Sequence, residues 1–449
     1  MKTFLRIIAG LVVLGVVALL AFIFVPVQRT KPAETLAADW QPAEGQGEYV
    51  MRAGDCVACH TADGGADLAG GRAIESPMGT IWSTNITPDA ETGIGNWSLD
   101  DFRAAMIDGL APDGTHLYPA MPYENYRLMS EEDIAALYHY LMEEVTPVKA
   151  KAPATELSFP FNQRWGIRAW NWLALTHDAG FTPAGTSDLQ DRGQYLVEGA
   201  GHCAACHSPR TRFMAQDGVQ AGDANFLAGG VIDGWNAPAL TGAASAVSRW
   251  SVEETAAYLS TGRNAHATAN GEMGLVVEHS LQYLTDEDNM AIASFLKGED
   301  GTLAEGGSLV RTSGSLVPAP ADAAGQATAT MLTEASPDIG LGARLYLDNC
   351  SACHFVTGKG APEIFPELAG NPLVTGSEVK PLLSIILNGA DVPSTAGRPM
   401  HLVMQGYDDR LDDAEVAELA TFLRSAWGND APAVTAAEVA TVRAAGAGH

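Results

Sequence analysis

An all-α fold of three tandem small helical domains, placed behind an N-terminal transmembrane or signal helix, is what this sequence predicts. Three observations carry the expectation. The string Cys-x-x-Cys-His occurs three times, at 56–60, 203–207 and 350–354. Each copy is followed at a similar remove by a capped amphipathic helix. The chain also opens on an apolar run from Ile7 to Val27.

A chain of 449 residues is too long for one ordinary domain. Residues 1–32 read as the membrane anchor or signal segment, because the apolar run reaches the roughly 20 residues needed to cross a hydrocarbon core. A cleaved signal has a shorter apolar stretch and a nearby small-residue cleavage site. Here the nearest such site, Thr35-Leu36-Ala37, lies beyond Arg29 and Lys31. A retained anchor is therefore expected, and either reading exports the rest of the chain. Residues 40–145, 187–300 and 338–429 are the three expected domains. Between the first two, 146–186 holds Phe159, Phe161, Trp165, Trp170 and Trp172 and reads as a packed connector. The Gly-, Ala-, Ser- and Thr-rich stretch 301–337 reads as a flexible linker, and 430–449 as an Ala-rich tail without a role. The net charge of −28 argues against nucleic acid, whose phosphates are held by clustered Lys and Arg.

The repeats share more than cysteines. A Gly/aromatic segment precedes each motif: Gly47-Glu48-Tyr49, Gly193-Gln194-Tyr195, and Gly342 with Tyr346. Ser130, Thr285 and Asp412 are the helix N-caps, each with a carboxylate three positions on, the pattern of a capping box or its close variant. Apolar residues then recur at helical spacing: Ile134, Leu137, Tyr138 and Leu141, and again Val416, Leu419, Ala420 and Leu423. The middle copy supplies Ile292, Ala293 and Leu296, with Asn289 breaking the first position.

All six cysteines fall in the motif pairs, so none is left for a structural disulfide. Cys-x-x-Cys-His attaches c-type haem. The pairs Cys56/Cys59, Cys203/Cys206 and Cys350/Cys353 would form thioethers to the vinyl groups. His60, His207 and His354 would ligate iron on one face, giving three covalently bound haem c groups. A redox dithiol needs neither histidine nor repetition, and a structural zinc takes its paired ligands within one domain.

The sixth ligand separates electron transfer from chemistry at iron, and methionine opposite histidine makes the closed, high-potential site of a carrier. The first repeat offers Met121 in Tyr118-Pro-Ala-Met-Pro-Tyr123. The second offers Met273, against Met214, Met290, His266 and His279. The third offers Met404, against Met400 and His401. No glycine-rich nucleotide motif, serine nucleophile motif or carboxylate cluster with metal spacing is found. A multihaem peroxidase would need an open haem, and a haem sensor a signalling module. The sequon Asn85-Ile-Thr87 is taken as coincidence.

Several stretches resemble the cytochrome c subunits of membrane-bound bacterial dehydrogenases, quinoprotein alcohol dehydrogenase above all. They are Thr84-Asn-Ile-Thr-Pro-Asp89, Gly93-Ile-Gly-Asn-Trp97, Leu117–Tyr123, Phe159-Pro-Phe-Asn-Gln-Arg-Trp165, Gly199–His207, Gly234-Trp-Asn-Ala-Pro238 and Ser425-Ala-Trp-Gly-Asn429. The resemblance implies class I cytochrome c domains and a place at the bacterial inner membrane, with the haem domains on the periplasmic side. It implies a catalytic dehydrogenase partner, quinoprotein or flavoprotein, with ubiquinone or a terminal oxidase as acceptor. Similar subunits serve gluconate, sorbitol and fructose dehydrogenases and molybdenum hydroxylases. By position the family's axial methionines fall on Met121, Met273 and Met404, with Gln405 standing where the family commonly has proline.

Overall fold

The computed structural model describes residues 2–232, 234–242, 245–304, 306–309 and 320–446. It is rich in helix and opens on the apolar helix Lys2–Phe24. The all-α expectation holds only in part, because short antiparallel strands fold out of the loops. Ala73–Ile74, Gly79–Trp82 and Glu156–Leu157 form one small sheet; Gly230–Ile232 pairs with Trp235–Ala237, and Gly389–Val392 with Leu402–Gln405. Runs of two to four residues are too short to show a period of two, so composition does not announce them.

The chain divides into two compact units. One holds the residues up to Gly47 together with Ala62–Gly180; the other holds Glu48–Thr61 with Phe181 to the C-terminus, and so contains all three Cys-x-x-Cys-His helices. Glu48–Thr61 belongs there by contact: the Tyr49 hydroxyl bonds the Asp288 carboxylate, and Arg52 lies over the Tyr283 ring at 4.2 Å.

The helix caps form as expected, but the carboxylates serve different ends. Ser130, Thr285 and Asp412 accept from the backbone N–H groups of Asp133, Asp288 and Glu415. Glu415 closes a full capping box, back to the Asp412 N–H at 3.0 Å. Asp133 instead accepts from Gln46, and Asp288 takes a two-pronged bond from Arg192 at 2.8 and 2.7 Å. Val416, Leu419 and Ala420 are fully buried, as is Asn289, whose amide donates to Leu281 O at 3.1 Å.

The three early glycines have a packing reason. A Cβ on Gly47 would lie 2.3 Å from Ala136 O, one on Gly193 2.0 Å from Ala291 O, and one on Gly342 2.3 Å from Glu418 O. In each case the next obstacle is the residue four further on: Tyr140, Phe295 or Phe422. The helix before each motif therefore crosses the capped helix backbone to backbone, at one point written three times. Gly193→Val forces that crossing open. It is expected to cost about 3 kcal/mol or more, read as a lowered thermal midpoint, while a valine on solvent-facing Gly340, where a side chain meets nothing within 4 Å, leaves the crossing untouched.

Two stretches expected to be loose, the linker and the tail, carry more structure than expected. Within 301–337, residues 305 and 310–319 lie outside the described residues, but Gln326–Glu334 is a helix with Leu332 buried in the core of the third repeat. The tail contains the helix Ala436–Gly446, which buries Val439 and pairs Arg443 with Asp413 at 2.7 Å. In both, one or two aliphatics among many alanines suffice to dock a short helix. Asn85 is buried, with its amide on Val148 O at 2.7 Å, in keeping with a coincidental sequon.

Candidate haem-binding sites

Each motif folds as a single helical turn: Cys56–His60, Ala204–His207 and Ser351–His354. That turn stacks the paired sulfurs on one side. None of the six cysteines is bridged. Burial pushes the Cys56, Cys203 and Cys350 thiols up to about 12. This is the reverse of the lowered thiol that makes a redox dithiol reactive.

The histidines show how an iron site would be built. His207 Nδ1 lies 2.8 Å from Pro238 O, and His354 Nδ1 lies 3.0 Å from Pro366 O. A carbonyl only accepts, so each Nδ1 must carry the proton and each Nε2 keeps its lone pair for a metal. Burial lowers both imidazole pKa values and holds the rings neutral, as a ligand must be. His60 is half-buried at the end of its turn. Sequence reasoning did not single out Pro238 or Pro366. Pro238 stood inside one of the quoted stretches, but its carbonyl had no visible role there.

The methionines fall on three kinds of backbone. Met121, in the first unit, sits in a bend whose carbonyl accepts from the Tyr123 N–H at 2.9 Å; Tyr123 is fully buried and donates to Asn171 Oδ1. Met273 lies in the first turn of the helix Gly271–His279, half-buried. That helix packs against the Cys56–His60 turn within the same unit. Met404 lies on the strand Leu402–Gln405, where alternation turns it inward while Val403 faces solvent. It packs on the same apolar cluster as Cys350. Tyr407 ties this hairpin to the third motif by donating to Asn349 O at 2.6 Å.

The rivals are placed elsewhere. Met290 fills a core with Val252 and Ala256, and Met214 and Met400 are exposed. His266 has both ring nitrogens on carboxylates, Nε2 3.3 Å from Glu254 and Nδ1 3.1 Å from Glu367, with Lys359 3.6 Å from Glu367. These acids push its pKa from 6.5 up to about 9 and make it a charged tie between the second and third repeats. Because the folded value is the higher one, the tie's stabilisation is complete below about pH 6.5 and is lost as pH rises through about 9. His266→Gln should remove that alkaline loss from a series of thermal melts.

Three unbridged cysteine pairs, each closed by a histidine at the end of its turn, with Nδ1 of His207 and His354 held on a carbonyl, fit covalent haem. Comparison with known proteins gives the same answer: the family model described as Cytochrome c matches residues 43–143, 190–299 and 339–427. The chain belongs to the cytochrome c family. It is 40% identical over 411 residues to the cytochrome c subunit of alcohol dehydrogenase (quinone) from Gluconacetobacter polyoxogenes, covering 90% of this chain and 84% of that one. Similarity to the gluconate 2-dehydrogenase cytochrome c subunit of Pantoea cypripedii is 41% over 405 residues, 89% of each chain. With the fructose dehydrogenase cytochrome subunit of Gluconobacter japonicus it is 39% over 443 residues, 96% of this chain and 88% of the relative. As a cytochrome c this chain carries covalent haem c, and its work is electron transfer.

Proposed function

We propose that this cytochrome c carries three haem c groups in domains 40–145, 187–300 and 338–429 and relays electrons for a membrane-bound dehydrogenase. The three family matches fall inside those ranges. Cys56 and Cys59, Cys203 and Cys206, and Cys350 and Cys353 would hold the porphyrins by thioethers. His60, His207 and His354 would hold the irons together with Met121, Met273 and Met404. When bound, each haem supplies a one-electron ferric/ferrous couple, which a methionine opposite histidine keeps at high potential. The observation that carries the reading is the Nδ1–H of His207 and of His354 held on a proline carbonyl beside an unbridged cysteine pair.

Packing supports a relay with the second site in the middle. The Met273 helix touches the first motif's turn on one side. On the other, a Cβ on Gly274 of that helix would meet Pro393, next to the Met404 hairpin, at 3.5 Å. Electrons come from a quinoprotein or flavoprotein catalytic subunit oxidising an alcohol, aldehyde or sugar. They leave to ubiquinone or a terminal oxidase. The catalytic partner is supported by the relatives, all three of them cytochrome subunits of dehydrogenases. The helix Lys2–Phe24 is long and apolar enough to anchor the chain in the inner membrane, leaving the haem domains in the periplasm.

The test is made on the purified, haem-loaded chain. A closed His/Met iron offers only one-electron exchange, and oxidising an alcohol needs a cofactor that takes an electron pair or hydride. The chain alone should be reduced by dithionite or a quinol and stay inert to alcohols, aldehydes and sugars. Adding the catalytic subunit should let substrate reduce the haems. Reduction by an alcohol at a catalytic rate, with no second polypeptide present, would sink the proposal.

A further inference from the structure

We propose that the connector of the first unit is a second membrane contact: an aromatic collar seated in the headgroup layer of a phospholipid bilayer where the spanning helix leaves it. The proposal rests on the reading of 1–32 as a retained anchor.

The helix Ile167–Ala174 is apolar on both sides. Its inner face buries Ile167, Asn171 and Ala174, four and three residues apart. Asn171 locks that face, donating to Asp108 O at 3.1 Å and accepting from Tyr123. The outward side leaves Trp172 67% and Leu173 57% exposed, and the approach to the helix leaves Phe159 79% exposed. A helix with apolar residues on two faces needs an apolar neighbour for each, and among the described residues the outer face is touched by Phe22 while most of Trp172 and Leu173 stays uncovered.

What covers the outer side is set by depth. The helix Lys2–Phe24 has 23 residues and runs roughly 34 Å, enough to cross a ~30 Å hydrocarbon core and end at its boundary. Phe22, in its last turn, meets Trp172 edge-on at 5.1 Å and Trp165 at 6.3 Å. Arg168 donates to Phe22 O at 2.6 Å and Val25 O at 2.7 Å, closing carbonyls that a helix end leaves open. The connector is thus bolted to the exit point of the spanning helix, at the level where Trp rings sit in membrane proteins.

The charges fit the same place. A cleft of about 520 Å3 opens there, its lining charges being Arg29, Arg164 and Arg168 against Asp113 alone. Arg29 is paired with Asp101 at 2.6 Å, which leaves Arg164 and Arg168 toward the cleft. His116, 7% exposed, also lines it, and its buried Nδ1 has no hydrogen-bond partner among the described residues. In a chain of net charge −28, this cationic pocket is complementary to lipid phosphates.

The full haem-loaded chain, reconstituted into phosphatidylcholine/phosphatidylglycerol vesicles carrying a phospholipid with a photoreactive diazirine near its headgroup, gives the test. After illumination, peptide mass spectrometry should find lipid adducts on 159–173 as well as on the spanning segment. In Trp165→Ser/Trp172→Ser the connector adducts should fall about tenfold while the spanning-segment adducts persist. Adducts on the spanning segment alone overturn the collar, and would leave its aromatic face to a protein partner. Adducts on neither region remove the anchor reading and the collar together.

Discussion

Replacing Cys203 and Cys206 with alanine is expected to remove one haem and leave two. On the proposed reading each porphyrin is held by its own cysteine pair, and the three pairs lie on separate turns, so the loss should not spread to the other sites. Haem staining after denaturing electrophoresis should weaken by about a third, and the intact mass should fall by one haem. The middle pair is the most informative, because the Met273 helix packs on the first motif's turn. Loss of its haem should also slow electron passage between the outer two. A wild-type mass fitting fewer than three haems would overturn the count.

Met404→His is expected to lower one of three reduction potentials, whereas Met400→His should leave all three in place. Thioether sulfur favours the ferrous iron, and exchanging it for imidazole moves the couple by a substantial part of the ~0.8 V that axial ligands command. The ferric far-red band of His/Met ligation should lose about a third of its intensity in the first variant and none in the second. The reason is placement: Met404 faces the cluster that also receives Cys350, while the Met400 residue is 64% exposed and its carbonyl accepts from Arg263 at 2.9 Å. A redox titration separates the outcomes. The reverse pattern would move the third ligand to Met400.

How much of this was legible depends on how far apart the interacting residues lie. Ser130, Thr285 and Asp412 act within one helical turn, and all three caps could be read directly. The second half of the capping box could not. Asp133 and Asp288 had a local option and took a distant one, with Gln46 and Arg192, because those donors come from the helices that cross them. Asn289 read as a break in the apolar face, yet it is buried, since a carbonyl eight residues back meets its amide. The tail read as inert because two valines among alanines carry little pattern, although they suffice to seal the last helix.

By itself the sequence determined the chemistry and the repeat: three covalent attachment strings, three histidines, three capped helices and an apolar entry segment. These are short-range features in which the groups concerned are chain neighbours. Only the tertiary structure decided which carbonyls hold His207 and His354 by Nδ1, from 31 and 12 residues away. It also decided that Met404 turns inward, that His266 is spent between two carboxylates, and that three glycines are crossing points. Each of these depends on which backbones come within a few ångströms, and that follows from packing whole helices together.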